Sequence, residues 1–477
     1  MLGRTTIFFL LGLFSVVAGA AEKPNFVFFL VDDMGWGDIG AYGSTFHQTP
    51  AVDRLAAEGM KFTQGYAACT VCSPSRAAIM TGCYPGRLHL TDWIAGHRRR
   101  NSKLKIPKWQ MYIDHKRVTL AEALREGGYK TMFAGKWHLM PKNDRARFPH
   151  HTPTKHGFDI NVGGREWGQP KGPGKYFHPF GMPNLEGEKG DFLTDRLTDE
   201  SLKFIKANRD KPFFLYLSYY AVHGPLMTKP ELLKKYRARA KEKGPDGKRW
   251  VGRTTPVYAG MVQSVDESVG RIMRALEELK LDDNTVVIFT ADNGGTSQAS
   301  SGGLRGAKGL AWEGGVREPF IIKWPGVAKA GSVSDTLAIG TDFYPTMLEM
   351  AGLPQKPKEH LDGVSLVPVL KGGKSDTDRT LYWHYPHYHK TKPYGAIRDG
   401  DWRLVEFFEE GALHLFNLKD DPTESKNLTE AMPEKAKQLH SKLAAWRKEV
   451  NAQMPTPNPK HKQGQSPRKR PRKKKKA

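Results

Sequence analysis

Short apolar runs, each followed at once by polar residues, recur along the first three-quarters of the chain. Residues 25–31, 212–220 and 285–291 are apolar or aromatic almost throughout, which is typical of strands buried on both faces of a parallel sheet. Segments between such runs have helical features, such as residues 49–59, which begin with Thr-Pro and end with Gly. This alternation predicts an α/β fold, with a large doubly wound mixed sheet flanked by helices.

The pattern changes after about residue 370. Short strand-like pieces at 380–385, 395–398, 401–406 and 413–417 are joined by turns, and one helix is predicted at about 433–449. We therefore expect a smaller C-terminal antiparallel sheet plus helix, packed on the main domain. The predicted parts are a signal peptide (1–21), an N-terminal α/β catalytic domain (22–370), a C-terminal α+β subdomain (371–455) and a basic disordered tail (456–477).

The N-terminal residues indicate export. Arg4, an apolar run at 7–17 and the small residues Ala18-Gly19-Ala20 form a signal-peptide pattern, and the apolar run is too short to span a membrane comfortably. We expect a periplasmic or secreted protein with no membrane anchor. Three cysteines in 477 residues exclude a disulfide scaffold; the sequence leaves open whether Cys69 and Cys83 form a pair.

The net charge of +24 is partly local, because residues 460–477 hold ten Lys and Arg and no acid. A solvated tail and retention on polyanions, such as sulfated polysaccharide or cell envelope, are both consistent with this composition. Export argues against nucleic acid as the biological partner.

Polar side chains follow two of the buried runs directly. Asp32-Asp33 comes after residues 25–31, and Asp292-Asn293 comes after residues 285–291. Sites in open α/β sheets are built at the carboxyl ends of strands, and adjacent carboxylates repel each other unless a cation lies between them. Carboxylate and amide oxygens suit calcium or magnesium. Taken alone, Asp32-Asp33 fits a metal site and a solvated turn equally well.

Cys72 lies just ahead of a predicted helix, with Ser73 as N-cap, Pro74 at the first helical position and Gly82 as C-cap. The backbone N–H groups at a helix start favour an anion, and Arg76, one turn further on, suits sulfate or phosphate oxygens. The alternatives are a buried structural cysteine or a redox pair in the Cys-x-x-Cys of residues 69–72.

Residues 72–82, which read Cys-x-Pro-Ser-Arg-x-x-x-x-Thr-Gly, resemble the signature of type I sulfatases of the alkaline phosphatase superfamily. The resemblance extends over about residues 24–450. It implies that Cys72 is converted to formylglycine, which serves as the nucleophile, by a formylglycine-generating or anaerobic sulfatase-maturating enzyme. It also implies one calcium ion, bound by Asp32, Asp33, Cys72, Asp292 and Asn293.

The same resemblance assigns further roles. Lys136 and His138, in the segment Gly-Lys-Trp-His, would otherwise be interpreted as a surface lysine and a core histidine. The implied catalytic set is Cys72, Arg76, Lys136, His138, His223 and Lys308. His387 and Arg398 lie in a His-rich region that borders the pocket in related enzymes, so we predict that they bind substrate. A metal site and ordinary surface are the alternatives for this region.

These residues together predict an exported sulfuric ester hydrolase that acts on sulfate esters, with sulfated carbohydrate as the expected substrate. One alternative is a phosphate or phosphonate monoester hydrolase of the same superfamily, and the cysteine motif argues against the Thr or Ser nucleophile of phosphatases. The other is an inactive relative that binds polyanions through its tail. The complete ligand set argues against it, because a binder has no need for Asp292, Asn293 and Lys308 together.

Overall fold

The computed structural model describes residues 23–97, 101–142, 150–245, 247, 255–373 and 379–462. The predicted signal peptide and residues 463–477 of the predicted tail lie outside these ranges. Of the helices that are described, none is both long enough and apolar enough to cross a lipid bilayer.

The described strands and helices follow the alternation seen in the sequence. The strands are β1 (Asn25–Val31), β2 (Met60–Phe62), β3 (Gly65–Tyr66), β4 (Leu104–Lys105), β5 (Lys130–Gly135), β6 (Ile160–Val162), β7 (Phe213–Ser218), β8 (Thr285–Ala291), β9 (Phe320–Lys323), β10 (Ser332–Ser334), β11 (Ala338–Ile339), β12 (Thr380–Tyr385), β13 (Tyr394–Asp399), β14 (Trp402–Phe407), β15 (Ala412–Asn417) and β16 (Thr456–Pro457). The α-helices are α1 (Pro50–Glu58), α2 (Cys72–Thr81), α3 (Pro85–Leu88), α4 (Leu120–Glu126), α5 (Leu193–Ala207), α6 (Pro230–Arg239), α7 (Pro256–Glu278), α8 (Glu313–Val316), α9 (Phe343–Met350), α10 (Val367–Leu370) and α11 (Pro433–Glu449).

A mixed sheet of eight strands forms the centre of the molecule, in the order β10-β2-β9-β8-β1-β7-β5-β6. β1 lies between β7 and β8 and is parallel to both, whereas β9 runs antiparallel to its neighbours β2 and β8. The predicted α/β class with a large mixed sheet is confirmed. The carboxyl ends of β1, β5, β7 and β8 all lie at one edge, because these four strands are parallel.

The alternation of side chains along β1 divides the core into two layers. Val27 and Phe29 pack with residues of α1, α5 and α7 on one face, while Phe26 and Phe28 pack with residues of α2, α4 and α9 on the other. Successive side chains of a strand point to opposite faces, so a run that is apolar at every position must be covered on both sides. The helices supply that cover.

The smaller sheet is antiparallel, in the order β12-β13-β14-β15, and α11 packs its buried residues Leu439 and Leu443 against it. The prediction of a C-terminal antiparallel sheet plus helix is confirmed. Two buried contacts attach this sheet to the N-terminal part of the fold: Nη1 of Arg403 pairs with Glu313 of α8 at 2.7 Å, and Nε1 of Trp383 donates to the carbonyl of Ala67, which follows β3, at 2.8 Å.

Candidate active site

The carboxyl ends of β1 and β8 bring four oxygen-bearing side chains to one edge of the sheet. The two strands are parallel and in register over their whole length. Asp32 and Asp33 therefore lie beside Asp292 and Asn293, and all four side chains are buried. The backbone N–H of Asp33 donates to Oδ1 of Asp292 at 3.2 Å, which links the two strand ends directly.

Helix α2 begins at Cys72 rather than after it. The sequence predicted Ser73 as the N-cap, and this was wrong: Val71 occupies that position, and the Ser73 hydroxyl donates instead to the carbonyl of His138 at 2.9 Å. A tertiary partner has taken the side chain that would otherwise cap the helix. The other end is as predicted, because Gly82 is the C-cap in the left-handed conformation (φ 63°).

Cys72 and Arg76 lie one turn apart on α2 and face the carboxylates. Sγ of Cys72 is 3.7 Å from Oδ1 of Asp32. Nε of Arg76 donates to Oδ2 of Asp292 at 2.8 Å, and Nη1 donates to the Ser218 hydroxyl at 2.7 Å. Nη2 of this buried guanidinium has no hydrogen-bond partner among the described residues, although Asp32 lies 3.8 Å away.

Lys136 and His138 follow β5 and reach the same site. Nζ of Lys136 donates to Oδ2 of Asp32 at 2.5 Å. Nε2 of His138 is within hydrogen-bond distance of the Ile94 carbonyl, and because a carbonyl only accepts, Nε2 must carry the hydrogen. Nδ1 of His138 therefore carries no hydrogen and has an available lone pair. This nitrogen is buried and lacks a hydrogen-bond partner within the described part of the chain.

Lys308 and His223 complete the cluster. Nζ of Lys308 contacts Oδ1 of Asp33 and lies 3.1 Å from Sγ of Cys72. Nδ1 of His223 lies 2.7 Å from the Gly224 carbonyl, so Nδ1 carries the hydrogen, and Nε2 lies 3.6 Å from Oδ2 of Asp33. The structure thus brings together every residue that the sequence proposed as catalytic or metal-binding, namely Asp32, Asp33, Cys72, Arg76, Lys136, His138, His223, Asp292, Asn293 and Lys308.

Burial works against ionisation of the site carboxylates, and the pKa values of Asp32 and Asp33 shift in opposite directions. Burial raises the pKa of Asp32 well above its usual value, more than Lys136 lowers it, and Asp292 and Asp33 raise it further. Burial opposes ionisation of Asp33 too, but there Lys308 and His223 prevail and hold its pKa well below the ordinary range. The two carboxylates differ because Lys308 and His223 favour the charged form of Asp33, whereas Asp292 and Asp33 disfavour the charged form of Asp32.

The donor set fits a hard divalent cation. Nδ2 of Asn293 donates to Oδ1 of Asp33 at 2.8 Å and to the Gly294 carbonyl at 3.0 Å; both partners only accept, which fixes the orientation of the amide. Its Oδ1 is buried and has no hydrogen-bond partner among the described residues. A buried, unpaired amide oxygen beside three carboxylates is the environment that Ca²⁺ or Mg²⁺ prefers.

The histidines and the thiol of the site are uncharged at neutral pH. Burial lowers the pKa of His223 to about 4 despite the nearby Asp33, and burial together with Lys136 lowers that of His138 well below its usual value. Burial raises the pKa of Cys72 to about 12 against the opposing effect of Lys136 and Lys308. An unmodified Cys72 is therefore a thiol rather than a thiolate, and a thiol is a poor nucleophile.

A cavity of about 390 Å³ opens onto Cys72, and its rim is basic and aromatic. The rings of His97 and His389 stack with centroids 5.0 Å apart, and Trp93 meets His97 edge-on at 5.1 Å. Lys142, Lys171 and Lys390 also line this cavity, whereas Asp33 is the one carboxylate among its described lining residues. The His-rich segment that contains His389 was expected to face substrate, but the other rim residues were not predicted, since they come from separate loops without a local motif.

The two predicted substrate-binding residues do not line the cavity. His387 is fully buried, with Nε2 2.8 Å from the Thr91 hydroxyl. Arg398 is buried on β13, where it contacts the Tyr66 hydroxyl and lies 3.6 Å from Glu313. These interior partners hold both side chains away from the pocket, so the prediction for His387 and Arg398 is corrected; His389, two residues along the same loop, lines the cavity instead.

The burial of His384, three residues before His387, leads us to predict that the protein loses stability in acid. It is 4% exposed, and burial lowers its pKa to about 4, whereas an unfolded histidine titrates near 6.5. Between these values only the unfolded chain takes up the proton, so stability is present above pH 6.5 and is lost as the pH falls towards 4. We expect the wild type to lose up to about 1.4 kcal/mol per pH unit through this group.

The measurement is the free energy of unfolding from denaturant titrations between pH 7 and pH 4. The free energy of unfolding should depend less steeply on pH in His384→Gln, by the contribution of one proton. His440→Gln, whose replaced side chain is 38% exposed, serves as the control. Equal slopes for wild type and His384→Gln would contradict the prediction.

Comparison with known protein families matches most of the chain. A family model described as Sulfatase matches residues 24–353, and one described as N-sulphoglucosamine sulphohydrolase, C-terminal, matches residues 307–449. The two matches together span both sheets.

Individual relatives agree with the family models. The chain is 34% identical to N-acetylgalactosamine-6-sulfatase of Canis lupus familiaris, covering 82% of this chain and 74% of the relative. It is 31% identical to a sulfatase of Formosa agariphila, covering 91% and 90%. Among solved structures, Ps i-CgsB in complex with k-i-k-neocarrahexaose is 28% identical, with a TM-score of 0.73 and coverage of 89% of this chain and 93% of that one.

Proposed function

This chain belongs to the type I sulfatases of the alkaline phosphatase superfamily and is a sulfuric ester hydrolase, and we propose that it removes sulfate from a sulfated carbohydrate. The observation that carries this proposal is the position of Cys72, which lies at the start of α2 among buried cations and strand-end carboxylates and opens onto a basic cavity.

The balance of charge at Cys72 supports an anionic substrate. Three cations, Arg76, Lys136 and Lys308, face the carboxylates of Asp32, Asp33 and Asp292. The two sets cancel formally, so a bound divalent cation would leave a net positive charge of two. A sulfate monoester carries one negative charge, and preorganised positive groups stabilise the charge that builds up on its oxygens.

The nucleophile is proposed to be formylglycine made from Cys72 by a formylglycine-generating or anaerobic sulfatase-maturating enzyme. When present, its aldehyde would add one water molecule, and the resulting hydrate would supply a hydroxyl in place of the neutral thiol. Lys308 lies 3.1 Å from the sulfur atom that this conversion removes, and Lys136 also favours negative charge there. Both amines therefore stabilise an anionic form of whatever group occupies this position.

Asp32, Asp33, Asp292 and Asn293, together with the modified residue 72, are proposed to hold one Ca²⁺. The fit rests on the unpaired amide oxygen of Asn293 and on the raised pKa of Asp32. A cation bound there supplies Lewis-acid charge to the sulfate oxygens and to the nucleophile. Within the chain, Arg76 orients Asp292 through its 2.8 Å hydrogen bond.

Proton transfer is assigned to His138, Lys308 and His223. The bare Nδ1 of His138 can accept a proton from a hydroxyl of residue 72, since the Ile94 carbonyl holds the other nitrogen as the donor. Nearby carboxylates, Asp33 foremost, keep the pKa of Lys308 well above its usual value despite burial. Lys308 therefore carries a proton for the departing alcohol, and His223 is placed to contact the same oxygen.

The rim of the cavity favours a sugar that carries more than one anionic group. Lys142, Lys171 and Lys390 surround the entrance with positive charge, and the stacked rings of His97 and His389 offer a flat surface. The crystal structure of the similar protein Ps i-CgsB contains k-i-k-neocarrahexaose, which supports a carbohydrate as the substrate class. The expected export would bring the enzyme to polysaccharide substrates outside the cell.

The direct test is sulfate release from a panel of sulfated oligosaccharides and desulfated controls. It is combined with peptide mass spectrometry of the segment that contains Cys72. Replacement of one sulfur and two hydrogens by one oxygen would establish formylglycine. Aryl sulfate, aryl phosphate and aryl phosphonate esters of one alcohol test the alternative: a higher kcat/KM for the phosphonate than for the sulfate would favour a phosphonate monoester hydrolase.

We predict that Lys390→Gln weakens binding of charged oligosaccharides. An exposed cation contributes up to about 1 kcal/mol, so KM for a multiply sulfated oligosaccharide should rise about threefold, with kcat little changed. The effect should shrink at high salt because screening weakens exposed charges. Lys392→Gln is the matched control, since Lys392 pairs with Glu409 and Glu410. Equal KM values for the two variants would remove Lys390 from substrate binding.

A further inference from the structure

Three histidines from separate parts of the chain meet behind Trp137, the residue between Lys136 and His138. His115 precedes α4, and His156 ends the short 3-10 helix Pro153–His156. His151 lies between them in the sequence. The ring of Trp137 lies 5.8 Å from that of His156, and its Nε1 donates to the carbonyl of His151 at 2.7 Å.

The three imidazoles form a triangle rather than a linear stack. The centroid of His115 is 4.6 Å from that of His151 and 4.7 Å from that of His156, and the remaining pair is 5.8 Å apart. One ring nitrogen from each histidine lies within 4.8 Å of the other two. Three tetrahedral Zn–N bonds of about 2.1 Å would require nitrogens about 3.4 Å apart. The three ring planes lie within 17° of parallel, so the rings must move inward and also tilt to bind one ion.

The chemical state of His156 suits a ligand. The residue is 0% exposed, and neither ring nitrogen has a hydrogen-bond partner among the described residues. Two unsatisfied nitrogens on one buried ring are unfavourable without a partner. Burial, with a further contribution from His115 and His151, lowers the pKa of His156 to about 3, so its lone pair is available at neutral pH.

The other two residues provide access and support. His115 is exposed and His151 is half-buried, so an ion can reach the triangle from solvent. Tyr112 stacks on His151 with centroids 4.1 Å apart, and the Thr119 hydroxyl donates to the carbonyl of His156 at 2.9 Å. The backbone around the triangle is therefore held in place before any ion binds.

We propose that His115, His151 and His156 bind a divalent transition-metal ion, with Zn²⁺ as the first candidate and water as the remaining ligand. Imidazole nitrogens select this class of metal, whereas the oxygen-rich set at Asp32 and Asn293 selects Ca²⁺ or Mg²⁺. The ion would cross-link the chain on both sides of Trp137. It would thereby stabilise the segment that carries Lys136 and His138.

The test uses the full chain without a histidine tag, treated with a chelator and dialysed. Co²⁺ is titrated at neutral pH with an excess of Ca²⁺ present, and the visible d–d absorption is recorded; Zn²⁺ should then displace Co²⁺ and bleach the band. We expect one equivalent of Co²⁺ to bind to the wild type and Zn²⁺ to raise the melting temperature.

His115→Gln is the decisive variant, because His115 is exposed and its replacement should not disturb folding. We expect it to weaken Co²⁺ binding by at least about tenfold and to abolish the shift in melting temperature. His440→Gln and Asp292→Asn should both keep the band, the latter because it alters only the oxygen-lined site. Absence of a band in the wild type, or an unchanged band in His115→Gln, would overturn the proposal without bearing on sulfatase activity.

Discussion

Replacing Cys72 with alanine is expected to abolish sulfate release, lowering kcat by at least about 10³-fold. The reason is chemical rather than structural. On the proposed mechanism the side chain at this position supplies the attacking oxygen, and an alanine methyl group cannot be converted to formylglycine. The cations Arg76 and Lys308 would remain, so the variant should still bind sulfate esters and act as a substrate trap.

Cys69→Ala is the matched control for this experiment. Cys69 is also buried and lies three residues earlier, but it does not line the cavity. This variant should keep its kcat within about twofold while losing some stability. If Cys72→Ala retained most of the wild-type activity with a normal circular dichroism spectrum, the proposed nucleophile would be wrong. A thermal denaturation curve for each variant separates misfolding from loss of chemistry.

Removing the cation that we propose at the strand-end site should lower kcat/KM by at least about 100-fold, because a Lewis-acid metal contributes several kcal/mol to a charged transition state. Treatment of the wild type with a calcium chelator should produce this loss, and added Ca²⁺ should reverse it. Asp292→Asn should show a similar loss that Ca²⁺ does not restore, since it removes the charge of a proposed ligand and also weakens the partner of Arg76.

Asp266→Asn is the control for the second experiment. Asp266 is a buried carboxylate that accepts a hydrogen bond from the backbone of Val52, and an asparagine can accept the same bond. Its activity should stay near that of the wild type and remain sensitive to the chelator. Full activity in protein that elemental analysis shows to be free of calcium and magnesium would falsify the metal requirement.

The framework of the fold was predictable because its signals are local. β1 and β8 have the predicted bounds, since an unbroken apolar run followed by acids defines both the strand and its end. The placement of Asp32 beside Asp292 then follows from two parallel neighbours, so a correct topology brings distant residues together. α11 also matches, because Pro at its start and apolar residues at helical spacing mark it.

What could not be predicted depends on tertiary contacts. Ser73 has the composition of an N-cap, yet a distant carbonyl binds its hydroxyl. Whether His387 or His389 lines the cavity depends on the direction in which an irregular loop turns its alternate side chains. The sequence has no periodicity there that would fix this direction. The histidine triangle has no local signature at all, since only folding brings His115 near His156.

The burial of α2 limits when the proposed conversion of Cys72 to formylglycine can take place. All ten residues of this helix are buried in the folded chain, and Cys72 itself is 3% exposed. An enzyme that carries out the proposed conversion of Cys72 needs access to a side chain that the folded chain buries, so it would have to act before these residues pack. The proposed conversion and folding would therefore compete for the same segment. In protein that folds first, Cys72 would remain a thiol. The active fraction of a preparation would then show whether conversion or folding was faster.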